Sequence, residues 1–193
     1  LHLIGLISAE GANFKVLEFH GPAIRTMPMS GRLVLCNMAV EAGATAGVVS
    51  PDAETVHYLR DVAGVHEDFD LFGPSADAVY DSVVEIDASK LVPQVACPHT
   101  VDNVKPIDEV KGRKVHQVVV GSCTNGRLDD LEVAASILKG RRVADGTRLL
   151  VFPAGGVGDL EPELAYLRHV AVEELLPGVL VRLALDPPDV HRV

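Results

Sequence analysis

Two rhythms of apolar and polar positions alternate along this chain. Residues 14 to 19, FKVLEF, alternate with the period of two expected of a half-buried strand, and Gly21-Pro22 stops it. From Ser30 the text SGRLVLCNMAVEAGA takes a helical period. Leu33, Cys36, Met38 and Val40 are its apolar positions, Ser30 is placed to cap it, and Gly43 suits its C-terminal end. AGVVSPD (46–52) predicts a short strand closed by a proline turn, and a helix follows over roughly Glu54 to Val62. The stretch 64–90 is less regular, with one predicted strand, SVVEIDAS (82–89). The sharpest unit comes later: an apolar strand VHQVVV (115–120), a tight turn GSCTNGR (121–127), a helix DDLEVAASILKG (129–140) and a closing strand TRLLVFPA (147–154). Strands alternating with helices predict an α/β protein with at least partly parallel sheets.

The text SKLVPQVACPHTVDNVKPID (89–108) carries three prolines, which suit extended connecting backbone better than helix or central strand. It predicts a domain junction near 88–95, dividing the chain into 1–90 and 91–193. No internal repeat or low-complexity tract interrupts this order.

Composition narrows the function. The chain has 193 residues, 17 Lys and Arg against 27 Asp and Glu, and a net charge of −10. With no Trp, three Tyr and five Phe, it lacks both the charge to grip phosphate backbones and the aromatic platforms to stack bases, so nucleic-acid binding is not expected. No apolar run reaches the ~20 residues that span a bilayer, and no membrane helix is expected. The start, LHLIGLISAEG, does not read as a signal peptide. Three widely spaced cysteines make no disulfide framework and fit a reducing cytoplasm. The chain opens at Leu1 rather than Met, as a fragment would.

The turn 121–127 is where chemistry is expected. At a strand-turn-helix junction the strand's carboxyl end and the helix's free N–H groups face one crevice. Cys123 lies there, where the positive end of the following helix favours a thiolate, so it reads as a nucleophile or a metal ligand. Ser122, Thr124 and Asn125 can cap the helix or hydrogen-bond a sulfur. The competing reading is a capping turn around a buried structural cysteine. A phosphate loop of the Walker type is excluded by the missing Lys-Ser/Thr.

Four segments in one order, VLEFHGPAI, MSGRLVLCNMAVEAGATAGVVSPD, VACPHTVDNVKPI and VVVGSCTNGRLDDLEVAASILKGRRV, resemble the aconitase superfamily of iron-sulfur hydro-lyases. The likeness is greatest to the large subunits of the isopropylmalate dehydratase and homoaconitase branches, and it runs from about residue 3 to about residue 154. It implies two small three-layer α/β domains of the aconitase type, the second incomplete. It also implies a 4Fe-4S cluster held by three cysteines, with one iron left open as a Lewis acid for reversible dehydration of a hydroxy di- or tricarboxylic acid. Cys123 matches the first cluster cysteine, with Ser122 and Asn125 beside it. Asn37 and Glu41 match the family's pocket residues, and their spacing of four would put them on one helix face. Glu41 would hold or relay a proton of the iron-bound water, and Asn37 would hydrogen-bond cluster or substrate. Without the resemblance, both are ordinary polar residues on a helix flank. A small subunit that closes over the cluster is the implied partner.

The departures matter as much. The family takes its other two ligands from a later C-G-x-C-x-G motif that is absent here, so Cys36 and Cys97 read as core and connector residues instead. Eight scattered histidines give no zinc spacing, and His20 and His99 read as solvated or core. Asp129 and Asp130 suit the helix dipole, as Arg141-Arg142 suit its far end. After Ala154 the likeness stops, which predicts a partial, truncated or frame-shifted product. One cysteine cannot hold a catalytic cluster, so this chain alone is expected to be inactive. The alternative is a non-catalytic α/β domain that binds a partner or a small acid.

Overall fold

The computed structural model describes residues 1–154. The text LEPELAYLRHVAVEELL (160–176), which has a helical pattern, lies outside the described residues. Contacts divide the chain into a unit Leu1–Gly112 and a second unit that begins at Arg113.

The first unit is built on a parallel pair. Helix α1 (His2–Ile7) leads into strand β1 (Val16–Phe19). The short helix α2 (Pro22–Arg25), helix α3 (Met29–Met38) and a 3-10 turn (Ala39–Ala42) then carry the chain to strand β2 (Ala46–Val49). Val16 pairs with Ala46 and Phe19 with Val49 in parallel register. The β-α-β connection predicted between residues 14 and 52 is present, with two changes of boundary. Phe14 is not in the strand: its φ is 62° and its ring is fully solvent-exposed. Ser30 is not the cap of α3 either. The helix begins at Met29, whose N–H donates to Glu54 Oε1 at 3.1 Å, so a carboxylate 25 residues away caps it.

Close approach, rather than bulk, holds this unit together. Its core is Ile4, Ala12, Ala39, Ala42 and Ala44, with Ile7, Leu17, Met38 and Val101 packed around it. Helix α3 lies directly on β2 at Gly47, where a Cβ would stand 2.7 Å from Cys36 Cα and 2.8 Å from Ala39 Cβ. That contact leaves no room for a side chain. The predicted apolar face is corrected in one respect: Val40 is exposed, and the residue α3 buries fully is Arg32, 2% exposed. Its guanidinium grips Asp52 bidentately at 2.7 and 2.9 Å, and its Nε donates to Met27 O at 3.0 Å. Asp52 also accepts from the N–H groups of Glu54 and Thr55, capping helix α4 (Ala53–His57), which continues as a π-helical turn over Tyr58–Val62. The Arg32 guanidinium holds the Asp52 carboxyl below its ordinary range.

The strand expected over 82–89 is absent. Val83 and Val84 are exposed and find no ladder, while Asp87 accepts from the N–H and hydroxyl of Ser89 and turns the chain into a 3-10 turn, Ala88–Lys90. A local aspartate turn outcompetes a strand that has no partner. The proline-rich stretch is not bare connector. Strands β3 (Gln94–Ala96) and β4 (Val104–Pro106) form an antiparallel pair, and the short helix α5 (Ile107–Val110) follows. Asp102 accepts from Ala9 N–H at 3.0 Å, and Gln94 meets His2 at 3.1 Å. These bonds fasten the stretch to the start of the chain, and the division by contacts falls at Gly112.

The second unit repeats the parallel plan. Strand β5 (Gln117–Gly121), helix α6 (Leu128–Leu138) and strand β6 (Arg148–Phe152) form a β-α-β connection, with Gln117 paired to Arg148 and Gly121 to Phe152. Leu149 is its buried centre, surrounded by Val120, Ala135, Leu138, Val143 and Val151. Both units are of the α/β class. No helix among the described residues is long and apolar enough to cross a membrane.

Candidate functional site

Strand β5 ends at Gly121, whose φ of 111° lies in the region that glycine favours. The chain passes so close to β6 there that a Cβ would stand 1.9 Å from Phe152 O. Ser122 follows at φ 80°, an uncommon backbone for a residue with a side chain, fixed by its N–H donating to Phe152 O at 2.7 Å. Gly126 completes the pinch: Ala154 N–H donates to Gly126 O at 2.7 Å, and a Cβ on Gly126 would meet Ser122 O at 2.5 Å. The two glycines thus bring the turn down onto the end of β6.

Cys123 stands exposed on this turn. The reading of a buried structural cysteine is thereby corrected. Ser122 Oγ lies 3.9 Å from Cys123 Sγ and Thr124 Oγ1 lies 4.0 Å from it. These hydroxyls, Ser122 first and Thr124 second, draw the thiol below its ordinary pKa. The other two cysteines differ. Cys36 is half-buried on α3, where burial raises its thiol, and Cys97 is half-buried after β3, its N–H donating to Asn103 O at 2.8 Å. One of the three cysteines therefore has the exposure and the hydroxyl partners that a reactive or ligating thiolate needs.

Asn125 is exposed and donates through Nδ2 to Asp130 Oδ1 at 2.9 Å. Asp130 also accepts from Arg127 N–H at 3.2 Å, capping the start of α6, and Arg127 Nη1 donates to Thr124 O at 3.0 Å. In the sequence Asp130 reads as a helix-dipole residue alone, and nothing there singles out Arg127. The signal was present as Asn and Asp five residues apart across a predicted helix start, but five residues apart is not a standard capping spacing.

Asn37 and Glu41 belong to the first unit, and both are exposed. The expectation of one continuous helix face is corrected. Asn37 lies in the last turn of α3, which ends at Met38, while Glu41 lies in the 3-10 turn Ala39–Ala42. At ~120° per residue instead of ~100°, that turn offsets Glu41 from Asn37 by roughly 100° rather than roughly 40° in ideal geometry. His20 and His99 are exposed, and His20 Nε2 meets Glu18 Oε1 and Tyr80 OH, each at 3.2 Å.

Among the described residues no group of three or more His, Cys, Asp or Glu side chains could hold a metal ion. The donor chemistry of the Cys123 turn suits one thiolate ligand of an iron-sulfur cluster, and the described residues do not supply a complete ligand set.

A parallel α/β connection that presents an exposed thiol on a glycine-pinched turn has donor chemistry that suits a soft metal or an electrophile. Comparison with known proteins narrows the class. The aconitase family (aconitate hydratase) matches residues 1–114 and 105–159, and the chain belongs to that family. Over 154 residues, 80% of this chain, it is 53% identical to the 3-isopropylmalate dehydratase large subunit of Elusimicrobium minutum and covers 37% of that protein. It is 50% identical over 154 residues to the probable 3-isopropylmalate dehydratase large subunit of Methanothermobacter thermautotrophicus, of which it covers 36%. It is 48% identical over 154 residues to the probable methanogen homoaconitase large subunit of Methanosarcina mazei, of which it covers 38%. Each comparison takes in 80% of this chain. The chain therefore spans a little over a third of the curated relatives it matches. The family resemblance, including its large-subunit branch, is borne out.

Proposed function

We propose that this chain is a segment of the large subunit of an iron-sulfur hydro-lyase that reversibly dehydrates a hydroxy di- or tricarboxylic acid such as isopropylmalate. Homocitrate or homoaconitate is the alternative substrate, in keeping with the homoaconitase relative. The observation that carries the reading is the exposed Cys123 thiol between two hydroxyls on the turn after β5. In this reading Cys123 supplies one ligand of a 4Fe-4S cluster, with Ser122 and Asn125 lining it. The cluster, when bound, supplies Lewis acidity toward the substrate's hydroxyl and carboxylate. Glu41 holds or relays the proton of the water that leaves and returns, and Asn37 hydrogen-bonds the substrate. The partner is the small subunit that the relatives' large-subunit names call for, and three unpaired cysteines fit a reducing cytoplasm.

The test uses a chimera in which the matching segment of the Elusimicrobium minutum large subunit is replaced by residues 1–154 of this chain and co-expressed with that enzyme's small subunit. Conversion of isopropylmalate is expected, with loss of turnover in Cys123→Ser. A chimera that folds and takes up iron and acid-labile sulfide, yet converts neither isopropylmalate nor homoaconitate, overturns the reading. The chain by itself is expected to be inactive, because the described residues offer one suitable thiol. The same shortage favours a second reading, a non-catalytic α/β domain that binds a partner or a small acid. Failure of the chimera to take up iron supports it.

A further inference from the structure

We propose that Asp130 is a positioning residue for the Cys123 turn, its carboxylate locking the Asn125 amide to the entry of α6 and so fixing how Cys123 and Asn125 are presented to a cluster. This rests on the reading of that turn as a cluster site. A helix cap alone accounts for one carboxylate oxygen of Asp130. Oδ2 accepts from Arg127 N–H at 3.2 Å, which is the backward half of a capping box at the third helical position. The other oxygen is committed elsewhere, to Asn125 Nδ2 at 2.9 Å. An ionised carboxylate only accepts, so the NH2 end of Asn125 must face it. That settles the amide's orientation, and among the described hydrogen bonds its Oδ1 and second N–H have no other partner. A charge-assisted bond of this kind is about twice as strong as a neutral one.

The rest of the turn is braced around the same pair. Arg127 Nη1 holds Thr124 O at 3.0 Å, and Gly126 O is held by Ala154 N–H at 2.7 Å. Each residue from Thr124 to Arg127 is therefore tied by a hydrogen bond, and the Asp130 carboxylate accepts from both a side-chain amide, Asn125, and a backbone N–H, Arg127. Asp129 lies beside it with the same charge, and its Oδ1 accepts only from Asp130 N–H at 3.1 Å among the hydrogen bonds described. Among the described hydrogen bonds it has none to Asn125 or Arg127, which makes it the natural control.

The 193-residue chain is alkylated with iodoacetamide, and the rate at Cys123 is read by peptide mass mapping in a double-substitution cycle. Asp130→Ala and Asn125→Ala are each expected to change the Cys123 rate by about threefold or more, and the double variant to change it no further than either alone. Asp129→Ala removes the same charge from the same helical turn but no bond to Asn125 or Arg127, and is expected to stay within about 1.5-fold. Independent, multiplying effects of Asp130→Ala and Asn125→Ala, or an equal effect of Asp129→Ala, overturn the proposal. If Asp130→Ala does not fold by circular dichroism, Asp130→Ser, whose side chain is shorter than that of Asp and would not reach the Asn125 amide, carries the cycle with the same expectations. Alkylation needs no cluster. A chimera that takes up no iron overturns the cluster reading alone, while a cycle without coupling overturns the role of Asp130 alone.

Discussion

Each parallel pair leaves its first strand for a helix through a glycine in the left-handed region: Gly21 after β1 has φ 108°, and Gly121 at the end of β5 has φ 111°. Their surroundings differ. A Cβ on Gly21 would meet nothing within 4 Å, whereas one on Gly121 would collide with Phe152 O at 1.9 Å. The first junction asks only for a backbone conformation; the second asks for that and for contact with the neighbouring strand. Polar groups follow the same division. Around Gly121 the turn carries an exposed thiol, two hydroxyls and an amide, while in the first unit the bidentate pair of buried Arg32 with Asp52 joins α3 to α4. The first unit uses its buried ion pair for packing, whereas the second presents its thiol on the turn itself.

The sharpest way to break that comparison is alanine at the second glycine. Gly121→Ala adds left-handed strain to a clash with a backbone oxygen that cannot swing aside, and the expected loss is about 4 kcal/mol. Amide hydrogen exchange of Val118–Val120 against Leu17–Phe19 should show the loss confined to the second unit. Equal protection in both units would show that Gly121 is no more constrained than its counterpart.

Next in size is the buried ion pair. Asp52→Ala strands the Arg32 guanidinium in the core and removes the cap of α4. Breaking a buried pair costs 3–5 kcal/mol in general; with Asp52 still 39% exposed, the expectation falls to about 2–4 kcal/mol by chemical denaturation. The pH dependence carries a definite sign. Because Arg32 lowers the Asp52 carboxyl in the folded state, the pair stabilises fully above the unfolded value near 4 and loses that contribution as pH falls through the lower, folded value. The melting temperature should therefore drop more steeply below about pH 4 in the native chain than in Asp52→Asn. Parallel profiles would mean that the pair does not bind the proton differently on folding.

Gly21→Ala comes third. It meets the same backbone requirement with no clash, so about 1–2 kcal/mol is expected, read by the same exchange experiment. A loss as large as that of Gly121→Ala would remove the distinction between the junctions.

How far these features were legible in the sequence follows the range of the forces that make them. The parallel pairs, both long helices and the place of Cys123 follow from local periodicity and turn residues, and the residues reported them. The cap of α3 was misplaced because its partner, Glu54, lies 25 residues away. The strand at 82–89 was misread because apolar β-branched residues signal strand only when a partner exists, and the local pull of Asp87 on Ser89 decided otherwise. Arg32 gave no warning, since an arginine on a helix reads as solvated until its bidentate partner is known. At the site, Cys123 was visible from its turn, whereas the role of Asp130 depends on which of two adjacent aspartates reaches Asn125.

The smallest effect separates strain from chemistry within the Cys123 turn. Ser122 holds φ 80°, which costs about 1–2 kcal/mol for a residue with a side chain. Ser122→Gly relieves that strain but adds the conformational entropy of glycine to the unfolded chain, so a net gain of about 0.5 kcal/mol is expected. The same change removes the hydroxyl that contributes most to lowering the Cys123 thiol. With that donor gone, the pKa rises toward its ordinary value, less thiolate is present at neutral pH, and iodoacetamide should react about twofold more slowly at Cys123. Ser122→Ala splits the two effects, since it loses the hydroxyl and keeps the strain: the same slower alkylation is expected, without the gain in stability. Should Ser122→Gly alkylate at the native rate, the hydroxyl does not tune the thiol. The left-handed backbone at 122 would then serve only to lay the turn against β6, and the second junction would differ from the first in packing alone.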